Sequence, residues 1–298
     1  MDERTRGSFE MAGAMALLGT IGWFVVSAGV PVLGVVFWRC AFGGLALLVI
    51  CAALGHLNKR ALDSRRLWLA AIGGVAIVLN WLLLFGAYSR SSISIATAVY
   101  NTQPFILVGL GAVFLGERLT KRKVAWLTLA FTGMLLVVLD EGALGGSRSQ
   151  YLLGIGMSLT AALLWAIAAL IGRKLAGTPP HLIALVHTIV GLLLLGPLQT
   201  SATLPTQHLS WVLLATMGIV HTGLVYILMY GALQRLPTHL QAVFSFLYPI
   251  VAALVDALAF HQYLRPAQLA GCGIILLAVA GTNMRVSLRG WMKVGRTR

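Results

Sequence analysis

Charged residues are scarce in this chain. Asp, Glu, Lys and Arg make up 10% of its 298 residues, whereas soluble domains carry roughly 25%. Hydrophobic residues account for 59% of the chain, and the mean hydropathy is +0.89. This composition excludes an ordinary water-soluble enzyme and predicts an integral membrane protein.

Acidic residues are the rarest of the charged types. There are 8 of them against 22 Lys and Arg, which gives a net charge of +14 at pH 7. In a soluble protein such an excess would suggest binding to nucleic acid. Here the basic residues form scattered clusters between apolar runs, not one stripe with interleaved aromatic side chains. Nucleic acid is therefore not an expected partner, whereas the lipid bilayer and a small-molecule substrate are.

The chain also lacks the signatures of metal and nucleophile chemistry. Its three cysteines, Cys40, Cys51 and Cys272, lie inside apolar runs without a C-x-x-C motif or a Cys/His cluster. The G-x-S-x-G, H-E-x-x-H, P-loop and G-x-G-x-x-G patterns are absent as well. We therefore expect no metal, no cofactor and no enzymatic activity. An intramembrane enzyme, which would need paired catalytic groups, is the alternative from a different class.

What the chain has instead is a series of apolar runs bounded by charges, prolines or polar clusters. Each run is close to the roughly 20 residues that a membrane-spanning helix needs. The connections are short and leave no room for a soluble domain, so residues 1–298 are predicted to form a single all-α membrane domain. The ten predicted spans are 11–29, 32–54, 67–89, 93–115, 123–140, 151–172, 181–200, 209–232, 238–261 and 266–284.

The first of these spans could be mistaken for a signal peptide. It is long for the apolar core of such a peptide, and it lacks a clean A-x-A cleavage site. We expect it to be a retained transmembrane helix.

The basic residues predict how the chain is oriented. If the spans alternate from a cytoplasmic N-terminus, 18 Lys and Arg residues fall on the cytoplasmic side and 3 on the outer side. Because Lys and Arg are enriched in cytoplasmic loops, both termini are expected in the cytoplasm. The protein is expected to be a monomeric, multi-pass protein of the cell inner (plasma) membrane.

A shift of 145 residues brings the third and fourth spans onto the eighth and ninth. Pro104 falls on Pro249, and although only six positions are identical over residues 85–120, the hydropathy pattern agrees without a gap. Each half, 11–140 and 151–284, holds five spans, and this odd number places the second half upside down in the membrane. Inverted repeats of this kind are typical of carriers that work by alternating access.

Several segments resemble a known family. The second span carries FWRCAFGGLALL, the fourth AVYNTQPFILVGLGAVFLGERL, the eighth YGAL and the tenth GCGIILLAVAG. With these motifs, essentially the whole chain resembles EamA-type members of the drug/metabolite transporter superfamily. Within that superfamily it most resembles the bacterial aromatic amino acid exporters. The resemblance implies a basket-like bundle of ten helices whose first, third, fourth, sixth, eighth and ninth members surround a cavity. The second half departs from the first at His187, which stands where the first half has Arg39 when a three-residue shift is allowed.

Polar groups inside a span are unfavourable unless they are paired or line water, so each is a candidate for function. In the fourth and ninth spans, polar residues share one helical face with a proline, which is predicted to kink or hinge the helix and to free a backbone carbonyl. Together with deep aromatic rings, among them Trp81, they predict a cavity suited to planar, apolar or cationic solutes. The predicted cavity residues are Thr20, Trp23, Asn80, Tyr100, Asn101, Trp165, His221, Tyr226, Ser245 and Tyr248, with Pro104 and Pro249 as hinges.

Two charged residues, and His221 of the polar set, are candidates for a further role. Asp256 is the only acid well inside a predicted span and Arg39 is the only base, and they lie at comparable depth. A buried ion pair between them is one hypothesis. A coupling proton carried by Asp256 or by His221 is another.

These features predict a secondary transporter that exports small amphipathic metabolites, above all amino acids with an aromatic or apolar bias. A multidrug or quaternary-amine exporter of the same fold is the alternative, because aromatic rings and one acid would serve it equally. Phosphorylated substrates would need Lys or Arg facing the cavity. They are not expected, because no Lys lies at membrane depth and the resemblance places the helix of Arg39 outside the cavity.

Overall fold

The structure, a computed structural model, describes residues 2–57, 63–91, 93–138, 148–259 and 266–283. Helices joined by short turns and loops make up this part of the chain. Two 3-10 turns follow α9, and a π-helical segment, Met217–Leu224, joins α10 to α11. The α-helices are α1 (Glu3–Gly19), α2 (Ile21–Ser27), α3 (Val32–Ala53), α4 (Ser64–Ser91), α5 (Ile93–Tyr100), α6 (Gln103–Leu115), α7 (Lys121–Val138), α8 (Arg148–Lys174), α9 (Pro180–Leu195), α10 (His208–Thr216), α11 (Val225–Arg235), α12 (Thr238–Ser245), α13 (Leu247–Ala259) and α14 (Pro266–Asn283).

The predicted spans coincide with helical stretches of this structure. Among the described residues, seven stretches are long and apolar enough to cross a membrane, and two shorter apolar helices accompany them. The prediction of an all-helical membrane protein is therefore confirmed, whereas the number ten stays a prediction. The seven are Glu3–Ser27, Val32–Ala53, Ser64–Ser91, Arg148–Lys174, Pro180–Leu198, His208–Arg235 and Thr238–Val255, and the two shorter ones are Gln103–Leu115 and Pro266–Gly281.

The first helix begins eight residues before the predicted span. The side chain of Asp2 caps it by accepting a hydrogen bond from the backbone N–H of Thr5 at 2.7 Å. One turn further on, Arg6 pairs with Glu10 at 3.0 Å, the spacing that stabilises a helix surface. The cap and the ion pair stabilise this charged segment as a helix. The hydropathy pattern leaves the segment outside the predicted span because it is polar.

The outer surface of the bundle is strongly apolar. The side chains of Val113, Leu193 and Leu258 are 77%, 72% and 78% exposed, and they lie on three different helices. Water disfavours such a surface, whereas lipid tails match it. The exterior therefore fits a protein surrounded by lipid.

The helices of the two predicted halves pack against each other. The main contacts join α4 to α8, α7 to α14 and α1 to α11, while α3 packs against both α9 and the π-helical segment. Glycines bring backbones together where two of these pairs cross. A Cβ atom at Gly43 would lie 2.8 Å from the carbonyl oxygen of Gly218, and one at Gly133 would lie 2.8 Å from that of Gly271. Small residues at such crossings are typical of helix packing in membranes.

Candidate functional site

Three helices are interrupted within their predicted spans. The first gives way to α2 at Thr20, α5 gives way to α6 at Asn101 and Thr102, and α12 gives way to α13 at Phe246. The interruptions at Asn101 and Phe246 are 145 residues apart, which is the offset of the sequence repeat. Interrupted helices are tolerated at membrane depth where they are buried in protein or line a cavity.

A proline follows each of the two repeat-related interruptions. Pro104 is the second residue of α6, and Pro249 is the third residue of α13. Proline has no backbone N–H, so the carbonyl four residues earlier, that of Tyr100 or Ser245, loses its helical donor. The interruptions lie where the sequence predicts hinges, and movement of the helices at these points stays a prediction.

A cavity lies beside these interruptions, between elements from both halves of the chain. Four tyrosines and two tryptophans form much of its wall. Its volume is about 60 Å³. On the same scale one water molecule needs roughly 10–15 Å³, so the cavity must widen to admit a solute larger than about five water-sized groups. The lining residues are Met15, Leu18, Ile21, Arg39, Asn80, Trp81, Leu84, Phe85, Tyr88, Tyr100, Gln103, Trp165, Tyr226 and Tyr248.

Half of the predicted cavity residues line this cavity. One of them, Asn80 on α4, links α4 to α8 by a hydrogen bond in the cavity wall. Its Nδ2 donates to the carbonyl of Ala161 at 2.7 Å and to the Tyr100 hydroxyl at 3.2 Å. The structure therefore brings residues of five predicted spans together around one space. The five residues are Asn80, Tyr100, Trp165, Tyr226 and Tyr248.

Thr20 and His221 do not line the cavity, although both are predicted to. The Thr20 hydroxyl donates to the carbonyl of Leu17 at 2.8 Å, so it accepts from Nε2–H of His221 at 2.7 Å. The imidazole also packs edge-on against Phe24, with ring centroids 4.9 Å apart. This bond ties α1 to the π-helical segment, which is the ordinary structural use of a buried histidine.

Trp23, Asn101 and Ser245 also lie away from the cavity lining. Trp23 is 37% exposed at the periphery. Asn101 donates to the carbonyl of Thr97 at 2.8 Å, and Ser245 donates to that of Ala242 at 2.7 Å. Short polar side chains often bond to the preceding turn of their own helix, and helical spacing alone does not distinguish this use from cavity lining.

Trp81 and Tyr226 join the two predicted halves in the cavity wall. The indole Nε1–H of Trp81 donates to the Tyr226 hydroxyl at 3.0 Å, and the two rings are T-shaped with centroids 5.6 Å apart. Their numbers differ by 145, so these residues occupy equivalent positions of the sequence repeat.

Arg39 on α3 is a charged residue of the cavity wall, contrary to the expectation that its helix lies outside. Its side chain is fully buried, and its Nε donates to the Thr222 hydroxyl at 3.0 Å. Its Cζ lies 4.1 Å from the centroid of the Trp81 ring and 5.9 Å from that of Phe85. The expectation was wrong because α3 packs on the π-helical segment that carries Thr222, and a long side chain reaches past its own helix.

The terminal nitrogens of this guanidinium, Nη1 and Nη2, have no hydrogen-bond partner among the described residues. The side chain of Asp256 lies outside that part of the chain, so the hypothesis of an Arg39–Asp256 ion pair stays a prediction. The described lining of the cavity contains no Asp or Glu.

A separate polar cluster joins the ends of α6, α8 and α12. Glu117 pairs with Nη2 of Arg173 at 2.9 Å and accepts a hydrogen bond from the Thr238 hydroxyl at 2.6 Å. It also accepts from the backbone N–H of Thr238 at 3.2 Å, and Arg173 donates to the carbonyl of Leu236. We call these residues the Glu117 cluster.

A second set of ion pairs lies where α1 meets α11. Arg235 pairs with Glu3 at 2.7 Å and with Glu10 at 2.9 Å. Together with the Glu117 cluster, these pairs tie five helices at one end of the bundle, the end that is predicted from the sequence to face the cytoplasm. Among the described residues, no three His, Cys, Asp or Glu side chains are placed to hold a metal ion.

Sequence reasoning missed Phe85 and Gln103 as lining residues. Phe85 lies four residues after Trp81, which places both rings on one face of α4. Gln103 immediately precedes Pro104 and follows Tyr100 by three residues, so the same periodicity could have found it. No local pattern could have found the position of Arg39, because it depends on how α3 packs.

The comparisons with known proteins agree with this architecture. Two stretches of the chain, residues 6–139 and 152–284, match the model of the EamA-like transporter family. An uncharacterized transporter YxxF of Bacillus subtilis (strain 168) is 28% identical over 85% of this chain and 82% of its own length. A probable amino-acid metabolite efflux pump of Escherichia coli (strain K12) is 27% identical over 85% of this chain and 94% of its own length. A solved crystal structure superposes with a TM-score of 0.80 at 20% identity, covering 94% of this chain and 98% of that one.

An apolar exterior, helices interrupted within their spans and a polar, aromatic cavity beside the interruptions define a polytopic membrane protein of the transporter class. The chain belongs to the EamA-like transporter family, within the drug/metabolite transporter superfamily. Membership of a transporter family points away from an enzyme.

Proposed function

We propose that this protein is a secondary transporter that exports small amphipathic metabolites, chiefly amino acids with an aromatic or apolar side chain. The observation that carries this proposal is the cavity, which four tyrosines and two tryptophans wall beside the interrupted helices. Rings of this kind bind planar and apolar groups by stacking and burial. The name of the E. coli relative, a probable amino-acid metabolite efflux pump, supports the same substrate class.

The proposed architecture is ten transmembrane helices in two inverted repeats, 11–140 and 151–284, in one membrane domain. Three observations support it. The family model matches twice, once in each half. The interruptions at Asn101 and Phe246 share the offset of 145, and the contact between Trp81 and Tyr226 has the same offset. Inverted repeats allow the halves to exchange conformations and expose a central site to each side in turn.

The same proposal places the protein in the cell inner membrane with both termini in the cytoplasm. The distribution of Lys and Arg, 18 inside against 3 outside, supports this orientation. The Glu117 cluster and the pairs of Arg235 then lie at the cytoplasmic end, where they hold α1, α6, α8, α11 and α12 together. Inward opening requires some of these ion pairs to break.

A coupling proton is part of this proposal, with Asp256 or His221 as its carrier. His221 is 2% exposed and is bonded to Thr20, so taking up a proton would require its surroundings to rearrange. A role for either residue predicts that transport depends on a pH gradient.

Transport into proteoliposomes tests the proposed function. Purified protein is assayed with labelled phenylalanine, tryptophan, leucine, alanine and a quaternary-amine drug, with and without an inward proton gradient. We expect aromatic and large apolar amino acids to be transported faster than alanine, and the gradient to change the rate. Transport of the drug without any amino acid would contradict the proposal. Indifference to the gradient would remove Asp256 and His221 from a coupling role.

Truncating a ring of the cavity should change substrate preference. Trp165→Ala and Tyr100→Ala remove stacking surface worth about 1 kcal/mol, so the apparent affinity for phenylalanine should fall roughly fivefold and that for alanine much less. Trp68→Ala is the matched control, because that ring is 71% exposed and does not line the cavity. Competition of unlabelled amino acids against labelled phenylalanine gives the measurement. An equal loss for alanine and phenylalanine would mean that the rings only support the fold.

A further inference from the structure

The cavity has an electrostatic imbalance that the aromatic rings do not explain. Arg39 lines it and is fully buried, while none of the other described lining residues is charged. A guanidinium remains protonated under all ordinary conditions. The described lining therefore carries a net positive charge. This charge disfavours a cationic solute and favours an anionic group.

Among the described residues, only one of the three guanidinium nitrogens of Arg39 has a hydrogen-bond acceptor. Nε donates to Thr222, and the Trp81 ring stacks over the guanidinium carbon at 4.1 Å. Nη1 and Nη2 are buried without an acceptor among the described residues. Leaving charged donors buried and unpaired is strongly unfavourable, so an acceptor that enters the cavity gains a strong interaction there.

The free edge of Arg39 has the geometry of a carboxylate receptor. Nη1 and Nη2 present parallel N–H groups that bind the two oxygens of a carboxylate together, and such bidentate pairs are stronger than neutral hydrogen bonds. We propose that Arg39 binds the carboxylate of the transported substrate through Nη1 and Nη2. This assignment rests on the proposed function and deepens it, since it makes the substrate class an aromatic or apolar carboxylate.

A second unpaired group in the cavity fits the other end of an amino acid. Gln103 lines the cavity, and its Oε1 is buried without a donor among the described residues. An amide oxygen accepts hydrogen bonds from an ammonium group. With Arg39 for the carboxylate, Gln103 for the ammonium and the rings for the side chain, the cavity matches an α-amino acid better than a simple organic acid.

Substrate entry has to uncover the guanidinium. Trp81 stacks on it and is held in turn by its hydrogen bond to Tyr226. The present cavity is also smaller than an aromatic amino acid requires. Breaking the bond between Trp81 and Tyr226 would both widen the space and expose Nη1 and Nη2.

A ligand series tests the assignment of Arg39. Wild-type protein is titrated in detergent with phenylalanine, phenylalaninamide, phenethylamine, 3-phenylpropionate and phenyl phosphate, with intrinsic tryptophan fluorescence as the readout. We expect phenylalanine to bind at least about tenfold more tightly than its amide, because a charge-assisted pair is lost. Equal affinity for phenylalanine and its amide would overturn the proposal. Tighter binding of phenyl phosphate than of either carboxylate would assign Arg39 to a phosphate instead.

Variants connect this preference to the side chain. The preference for carboxylates should disappear in Arg39→Gln, and part of it should remain in Arg39→Lys. It should be unchanged in the control Arg90→Gln, because Arg90 is exposed and bonds to Gly86. If Arg39→Gln does not fold, Arg39→Lys and the wild-type series decide. Retained preference in a folded Arg39→Gln protein would overturn the assignment.

Gln103→Leu tests binding of the substrate's ammonium group separately from binding of its carboxylate. It should weaken phenylalanine but leave 3-phenylpropionate unchanged, and Gln199→Leu, outside the cavity, should weaken neither. Failure of wild-type protein to transport phenylalanine, combined with Arg39-dependent binding of 3-phenylpropionate, would refute the amino acid proposal while the carboxylate site stands. Strong coupling between Asp256→Asn and Arg39→Gln in ligand-free stability would show that Asp256 occupies the guanidinium, and would refute the site.

Discussion

We expect a Gly218→Val protein to unfold at a lower temperature than the wild type, with a loss of about 1–3 kcal/mol of stability. A Cβ atom at this position would lie 2.5 Å from the Cβ of Phe42, 2.7 Å from the backbone nitrogen of Gly43 and 3.0 Å from the carbonyl oxygen of Arg39. Two of these are backbone atoms, so no side-chain rotation relieves the clash, and α3 must move away from the π-helical segment. Overpacking of this kind typically costs roughly 1–3 kcal/mol, occasionally more.

The matched control for this variant is Gly156→Val on α8. A Cβ atom at Gly156 would meet nothing within 4 Å, so the same substitution is free of clash there. Thermal unfolding of both variants in one detergent, with size-exclusion chromatography to check dispersion, gives the comparison. Because α3 carries Arg39, only Gly218→Val should also weaken phenylalanine binding. Equal stability of the two variants would show that α3 and the π-helical segment do not meet as described.

Removing the carboxylate of Glu117 is expected to have the second large effect. This side chain is only 13% exposed and serves Arg173 as well as the hydroxyl and backbone N–H of Thr238. Glu117→Ala would remove the carboxylate that accepts from Nη2 of Arg173 and from the first N–H of α12. Hydrogen bonds to charged groups contribute about 1.5–3 kcal/mol each. Because Arg173 is one quarter exposed, solvent screening reduces the expected total loss to about 1–3 kcal/mol.

A double-mutant cycle separates this pair from a general loss of stability. If Glu117 and Arg173 act together, Glu117→Ala combined with Arg173→Gln should cost less than the two single losses added. Arg66→Gln is the control, since Arg66 and Asp63 are 4.0 Å apart and largely exposed, and its effect should stay within about 0.5 kcal/mol. Additive losses would mean that the contact between Glu117 and Arg173 contributes little.

The Glu117 cluster also bears on the transport cycle. In the proposed orientation it lies at the cytoplasmic end, so Glu117→Ala should make cavity residues easier to label from that side. A cysteine placed at Tyr100 and tested with a membrane-impermeant thiol reagent in inside-out vesicles gives the readout. Unchanged labelling would indicate that another part of the bundle closes this end.

Part of the cavity could be predicted from the sequence because polar and aromatic residues are exceptional inside an apolar span. Asn80, Tyr100, Trp165, Tyr226 and Tyr248 were recognisable in this way, and they line the cavity. The same rule also selected Asn101 and Ser245, whose side chains bond to their own helices. A polar side chain within a span must find a partner, but periodicity does not reveal whether that partner is the preceding turn, another helix or a solute.

Composition and residue pattern are enough to predict that this protein lies in a membrane, roughly where its helices run and where two of them break. Each of these properties depends on local composition: apolar length, the placement of Lys and Arg, and prolines without a backbone N–H. Which side chains face the cavity depends on how the helices pack, and the clearest case is Arg39, which reaches the cavity from α3. That outcome depends on glycines that let α3 approach the π-helical segment, and a contact between residues 183 positions apart leaves no local signature.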